Sequence, residues 1–211
     1  MRLVLLLLFF NSWLDAKWNP RTGDILFQKL NSSFGSAVEG ATSSPWSHVG
    51  ILKNENNRWI VIEAIPPKVR KTPLEDFLGR CKNQFAVTRL RNWSEVEIKK
   101  LIDRAELHLN KTYDYVFVLD DVGDLYCSEL VYDAINVVKG VGTIKGRPMD
   151  FSGALDYWKK YFKQRDTKVP QGEPGISPAD VFNFKGAAVI FHFQDELVQG
   201  RRLEIFRSLY E

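Results

Sequence analysis

Three residues of this chain, Cys127, His48 and Glu63, have types and settings that suit nucleophilic attack on a carbonyl carbon. Cys127 follows Asp120-Asp121-Val122-Gly123-Asp124, a run of turn and helix-capping residues. It opens a stretch in which Leu130, Val131, Ala134, Ile135 and Val138 recur at helical spacing. The pattern predicts a cysteine in the first turn of a buried helix, where unpaired backbone N–H groups and the positive end of the helix dipole favour the thiolate. The same cysteine shares a stripe with Leu130 and Val131 and could simply fill a core. Its role therefore depends on what stands beside it: a base that also protonates the leaving group, and a third group that fixes the base's tautomer.

A hairpin can supply both. Ser47 to Lys53 and Arg58 to Ala64 are strand-like, and Asn54-Glu55-Asn56-Asn57 between them are turn formers, which predicts a four-residue loop. Pairing Lys53 with Arg58 carries His48 directly opposite Glu63, near enough for the carboxylate to accept an imidazole N–H. Gly50, Leu52, Trp59 and Val61 share that face, while Val49, Ile51, Ile60 and Ile62 point to the opposite, core side. A surface cross-strand pair of little energetic weight would have the same pattern. A slip of one residue would separate the pair.

If the three residues meet, the backbone N–H of Cys127 points toward a developing oxyanion, and Tyr126, Tyr113 and Gln28 are candidates for the second donor. The helix end and an adjacent imidazolium favour the thiolate against Asp120, Asp121, Asp124 and Glu129, whose side chains can turn to water. One soft ligand with one histidine makes a poor zinc site, and paired-cysteine or His-x-x-x-His spacing is absent, so no metal or other cofactor is expected. Ser128, one position past Cys127, would face elsewhere on the helix. His108 and His192 read as structural, each on an apolar-patterned element with no nucleophile near it in sequence.

The elements that must position these residues fit one domain over residues 17–211. The chain has 211 residues, 45% hydrophobic, enough for one sizeable core. Its formal charge of +3 is too small and its Lys and Arg too scattered to favour nucleic acid or an anionic membrane surface. Strands are expected at Asp24–Lys29, Gln84–Leu90, Asp180–Phe184, Ala187–Phe193 and Leu203–Leu209. Helices are expected near Ser36–Ala41, from a Thr72 cap to Gly79, over Ser94–Asn110 behind a Ser94/Glu97 capping box, and from Ser152 to Phe162. The aromatic cluster of that last helix suits a core or a packed flap. Arg2, the apolar run Leu3–Phe10 and the stretch ending at Ala16 resemble a secretory signal peptide over residues 1–16, giving an exported, periplasmic or secreted, monomeric protein without an integral membrane segment. In that compartment Cys81 and Cys127 could pair, but two cysteines make no disulfide framework, and a free Cys127 is favoured.

Gly23-Asp24-Ile25-Leu26-Phe27, Ser47-His48-Val49-Gly50-Ile51, Glu63-Ala64, Tyr126-Cys127-Ser128-Glu129-Leu130-Val131 and Pro170-Gln171-Gly172-Glu173-Pro174-Gly175 with Pro178 resemble, in that order, the YiiX/YebB-like branch of the permuted NlpC-type papain-like hydrolases. The histidine strand precedes the cysteine helix, as in that permuted branch. The resemblance implies an α+β fold, with a small, partly closed antiparallel sheet packed against the cysteine helix. It implies Cys127 as nucleophile, His48 as base and Glu63 as third member. It also implies hydrolysis of an amide in a small-molecule or peptide substrate, often a cell-wall peptide or lysine-containing compound, with related branches acting on lipid acyl groups. A lipid amidase or thiol acyltransferase, and a non-catalytic binding module of the same fold, are the competing expectations.

Overall fold

A computed structural model describes residues 18–119 and 123–194. The signal-peptide segment and the Leu203–Leu209 strand expected from the sequence lie outside the described residues. A six-stranded antiparallel sheet runs in the order β4-β3-β2-β1-β5-β8. Its strands are β1 (Ile25–Leu30), β2 (His48–Glu55), β3 (Arg58–Ile65), β4 (Lys68–Pro73), β5 (Cys81–Leu90) and β8 (Ala187–Gln194). Helices α1 (Ser33–Thr42), α2 (Leu74–Gly79) and α3 (Glu95–Leu107) interrupt the first half. Helix α4 (Cys127–Lys139) then lies across β2 and β3. The tail of the fold holds the two-residue strands β6 (Arg147–Pro148) and β7 (Pro174–Gly175), which pair with each other, and helices α5 (Leu155–Lys163) and α6 (Pro178–Phe182). This is the expected α+β class.

Local chemistry accounts for most element starts. Ser32 caps α1 by accepting from Gly35 N at 3.0 Å, and Ser94 and Glu97 form the expected capping box of α3. Residues 180–184, read from sequence as a strand, instead belong to α6 and the residues after it: Ser177 and Asp180 make a second capping box with Pro178 in the first turn. Thr72, read as a helix cap, sits in β4, a strand the sequence reading missed, and α2 begins two residues later. The α5 helix is preceded by a short 3-10 turn, Ser152–Ala154, and Ser152 does not cap it.

The β2–β3 hairpin differs from expectation in a way that matters for the site. Its loop is Asn56-Asn57, both residues with positive φ (52° and 62°), a two-residue turn whose twist suits a tight hairpin. The ladder pairs Glu55 with Arg58 and Ile51 with Ile62, so the register is two positions from the one predicted. A two-residue slip preserves which face each side chain occupies, because the pleat has period 2. His48 and Glu63 therefore still share a face, as diagonal neighbours rather than as an opposed pair.

Both faces of the sheet are covered, which the sequence reading did not anticipate. Val49, Ile51 and Ile62 join the α4 residues Leu130, Val131, Ala134 and Ile135 in the larger core. Leu26, Leu52, Val61, Phe77, Phe85 and Val87 form a second core on the face that carries His48 and Glu63. The pair is thus an interior feature, not a surface cross-strand contact.

Candidate active site

The site is assembled from the start of β2, the end of β3 and the first residue of α4. His48 is 3% exposed and Glu63 0%, and His48 Nε2 lies 2.5 Å from Glu63 Oε2. Gly50 lies beside the pair, in a space with no room for a side chain. A Cβ at Gly50 would meet Val61 Cγ1 at 2.4 Å and Glu63 Cβ at 3.4 Å. With Nε2 turned to Glu63, Nδ1 is the ring nitrogen left for Cys127, whose side chain is hydrogen-bonded to the imidazole. Cys127 is the first residue of α4, and the N–H groups of a first helical turn have no intrahelical acceptor. Structure thus brings the three sequence candidates into one chain of contacts.

Electrostatics keep the His48–Glu63 pair charged. Burial pushes the His48 imidazole down, but the hydrogen bonds to Cys127 and Glu63 and the charges on both outweigh it and raise its pKa to about 9. Burial likewise pushes the Glu63 carboxyl up, and the bond and charge of His48, the charge of Arg80 and the Thr72 hydroxyl together bring it down to about 2. Three residues that sequence reasoning did not associate with the site hold Glu63. Thr72 Oγ1 donates to Oε1 at 2.6 Å, Arg80 Nη2 lies 2.7 and 2.6 Å from the two oxygens, and Arg70 Nε lies 4.0 Å from Oε1. Alternation along β4 would have put Thr72 and Arg70 on one face, but only once β4 itself was recognised.

Neither cysteine is in a disulfide, and Cys81 is buried with its Sγ donating to Gln84 O at 3.0 Å. The Ser128 hydroxyl donates to Ile176 O at 2.7 Å. Of the three oxyanion candidates, the Tyr126 hydroxyl accepts from Ile176 N at 3.1 Å and so helps clip the chain after β7 to the start of α4. Tyr113 lies near enough to Cys127 for the two to interact electrostatically, and burial followed by that charge holds its phenol well above its usual range. Gln28 is fully buried on β1, paired with His48 in the ladder, and neither carboxamide atom finds a hydrogen-bond partner among the described residues. Glu129 does not turn to water as expected. It is buried, its carboxylate folded back 3.5 Å from Tyr126 N.

Cys127 opens onto a cavity of about 420 Å³. Phe34 and Val38 of α1, Phe117, Phe151, Trp158 and Met149 make its walls predominantly apolar, and Arg147 and Asp180, an ion pair, stand at its lining beside Asp150. The aromatic cluster of α5 both packs the core and lines this cavity: Trp158 is buried in edge contact with Phe151 and Phe34.

The remaining histidines stand apart. His108, at the C-terminus of α3, lies 2.6 Å from Asp133 Oδ2 on α4, and His192 is exposed on β8 with its ring 5.5 Å from that of Trp46. Among the described residues no group of three or more His, Cys, Asp or Glu is arranged to hold a metal ion, and no helix is long and apolar enough to cross a membrane.

The chain is 33% identical over 170 residues to the YiiX protein of Escherichia coli K12, covering 79% of this chain and 83% of that one. A crystal structure from Escherichia coli O157:H7, described as the metalloprotein YiiX, superposes with a TM-score of 0.74 at 29% identity, covering 84% of this chain and 99% of that one. Residues 19–184 match the model of the permuted papain-like amidase enzymes of the YaeF/YiiX, or C92, family, a span that contains every residue of the site, and the chain belongs to that family of cysteine hydrolases.

Proposed function

We propose that this chain is an exported cysteine amidase in which Cys127 is the nucleophile, His48 the general acid and base, and Glu63 the residue that orients His48. The observation that carries the reading is the continuous buried contact from Cys127 through His48 to Glu63 at the end of a cavity. The Cys127 thiolate attacks the amide carbon, and the oxyanion is met by the Cys127 backbone N–H with Tyr113 or Gln28 as second donor. The imidazolium gives its proton to the leaving amine, the C–N bond breaks and a thioester remains. Neutral His48 then takes a proton from water as the water attacks the thioester and keeps it as the sulfur departs as thiolate, which restores the starting ion pair.

The substrate is an amide of a cell-wall peptide or a lysine-containing compound. The apolar walls formed by Phe34, Val38, Phe117, Phe151 and Trp158 favour a second reading, an N-acyl lipid whose chain enters the cavity. Mass spectrometry of peptidoglycan fragments and of N-acyl amino acids, incubated separately with wild type and Cys127→Ala, decides between them. Amide cleavage of either class by wild type alone supports the nucleophile; equal turnover by Cys127→Ala overturns it. Export rests on the basic and apolar pattern of residues 2–10, and N-terminal sequencing of the mature protein tests it.

The metal named for the Escherichia coli structure does not fit this donor set. Both Glu63 oxygens and His48 Nε2 are already engaged, by Thr72, Arg80 and each other, which leaves the Cys127 sulfur and His48 Nδ1, two donors where a zinc site needs three or four. No step of the proposed reaction runs through a metal.

A further inference from the structure

We infer that Arg80 and Phe77, three residues apart at the C-terminal end of α2, are positioning residues for the reaction: they close a ring with His48 and Glu63 that holds the imidazole and keeps the buried site neutral through both halves of turnover. The inference rests on the proposed roles of Cys127, His48 and Glu63. Four contacts make the ring. His48 Nε2 meets Glu63 at 2.5 Å, Arg80 Nη2 meets Glu63 at 2.6 and 2.7 Å, and the Arg80 guanidinium lies over the Phe77 ring at 5.4 Å. The Phe77 ring in turn lies 5.7 Å from that of His48, tilted by 35°. Residues i and i+3 of a helical turn stand on one face, which is why Phe77 and Arg80 reach the same pair.

Charge explains why an arginine belongs there. In the ion pair from which the proposed reaction starts, a thiolate and the Glu63 carboxylate face an imidazolium and Arg80, and the four charges cancel. In the thioester the sulfur has lost its charge and His48 has given its proton to the leaving amine. The Glu63 carboxylate, fully buried, would then be uncompensated but for Arg80, and a buried charge that loses its partner is strongly destabilising. Arg80 thereby makes neutral His48, the base that activates water, accessible. The other groups facing the pair are Cys127 from α4, Thr72 and Arg70 from β4, and the uncharged Gln28 from β1. Arg70 Nε lies 4.0 Å from Glu63 Oε1, beyond hydrogen-bond distance, on a side chain 41% exposed, so it holds the carboxylate less firmly than Arg80 does.

The step to measure is thioester hydrolysis. With p-nitrophenyl acetate, whose leaving group needs no proton, wild type should acetylate at Cys127 and turn over. Arg80→Met should acetylate but hydrolyse the acetyl-enzyme at least roughly tenfold more slowly, so that the adduct accumulates in intact-mass spectra. Its rise in hydrolysis rate with pH should move to higher pH, and Arg80→Lys should recover most of the rate. Alkylation of Cys127 by iodoacetamide at neutral pH, which needs only the resting ion pair, should not be slowed in Arg80→Met. Hydrolysis of the acetyl-enzyme at the wild-type rate in Arg80→Met overturns the inference. So does a loss of alkylation and hydrolysis in parallel that Arg80→Lys fails to recover, since that marks a purely structural arginine. Failure of wild type itself to acetylate at Cys127 would instead sink the proposed function.

Discussion

The molecule contains two buried histidines held by a carboxylate that is in turn held by an arginine. His48 meets Glu63 at 2.5 Å with Arg80 on the same carboxylate. His108 meets Asp133 at 2.6 Å, and Arg104 grips Asp133 through Nε and Nη2 at 2.7 and 2.9 Å. Both carboxyl groups are pulled down to about 2, in each case against burial and through the histidine and arginine beside them. What separates the sites is the second ring nitrogen. That of His48 faces Cys127 and a cavity, whereas His108 Nδ1 is buried and finds no partner among the described residues. An Arg–carboxylate–His constellation is therefore a structural rivet by default, here joining α3 to α4, and it becomes a candidate active site only where a nucleophile and substrate space complete it.

That comparison can be broken most directly at the nucleophile. Cys127→Ala and His48→Ala should each lower acyl transfer by about 10⁴-fold or more, measured as turnover of p-nitrophenyl acetate, because the members of a triad act as a unit. Asp133→Asn and His108→Gln should leave turnover per folded molecule unchanged. A large activity loss in the Asp133 variant with its fold intact would erase the distinction.

Stability should reverse the ranking of the second pair. Asp133→Ala leaves His108 and Arg104 without their carboxylate and, since Asp133 and Arg104 are partly exposed, should cost about 1–3 kcal/mol in urea unfolding. Gly50→Ala should also destabilise, by about 1–3 kcal/mol, since the stiff Val61 side chain must move to admit the new Cβ. A wild-type midpoint in either variant would contradict the packing described.

The finest test is in pH. The His48 pKa is raised from 6.5 to about 9, so its share of stability is full below pH 6.5 and is lost as pH rises through 9. Glu63 and Asp133 are lowered to about 2, from 4.5 and 3.8; their shares are present above those ordinary values and vanish as pH falls through 2. Wild type and His108→Gln should thus both lose stability between pH 6.5 and 9, and His48→Gln should show a flatter alkaline limb. Identical alkaline slopes in all three would show that His48 is not held as an imidazolium.

How much of this was legible in the chain depends on the range of the interaction involved. The capping box of α3 and the start of α4 at Cys127 follow from residues three or four positions apart, and both could be read directly. The hairpin loop was misread by two residues, because Asn54 and Glu55 look like turn formers yet extend β2, while Asn56 and Asn57 alone take the left-handed conformation. The pairing of His48 with Glu63 survived that error only because the slip was even. Residues 180–184 were misassigned because their apolar content suits strand or helix alike, and the Ser177 and Asp180 box decides it.

By itself the sequence determined the local conformation around Cys127 and the face shared by His48 and Glu63, since both depend on backbone periodicity and neighbouring residues. Only the tertiary structure decided that this face is a second core, that Glu63 is held by Thr72 and by Arg80 seventeen residues away, that Glu129 is buried, and that an apolar cavity ends at the sulfur. Those features arise when segments distant in sequence exclude water together. The charge states of Glu63 and His48 depend on that exclusion as much as on the residues themselves.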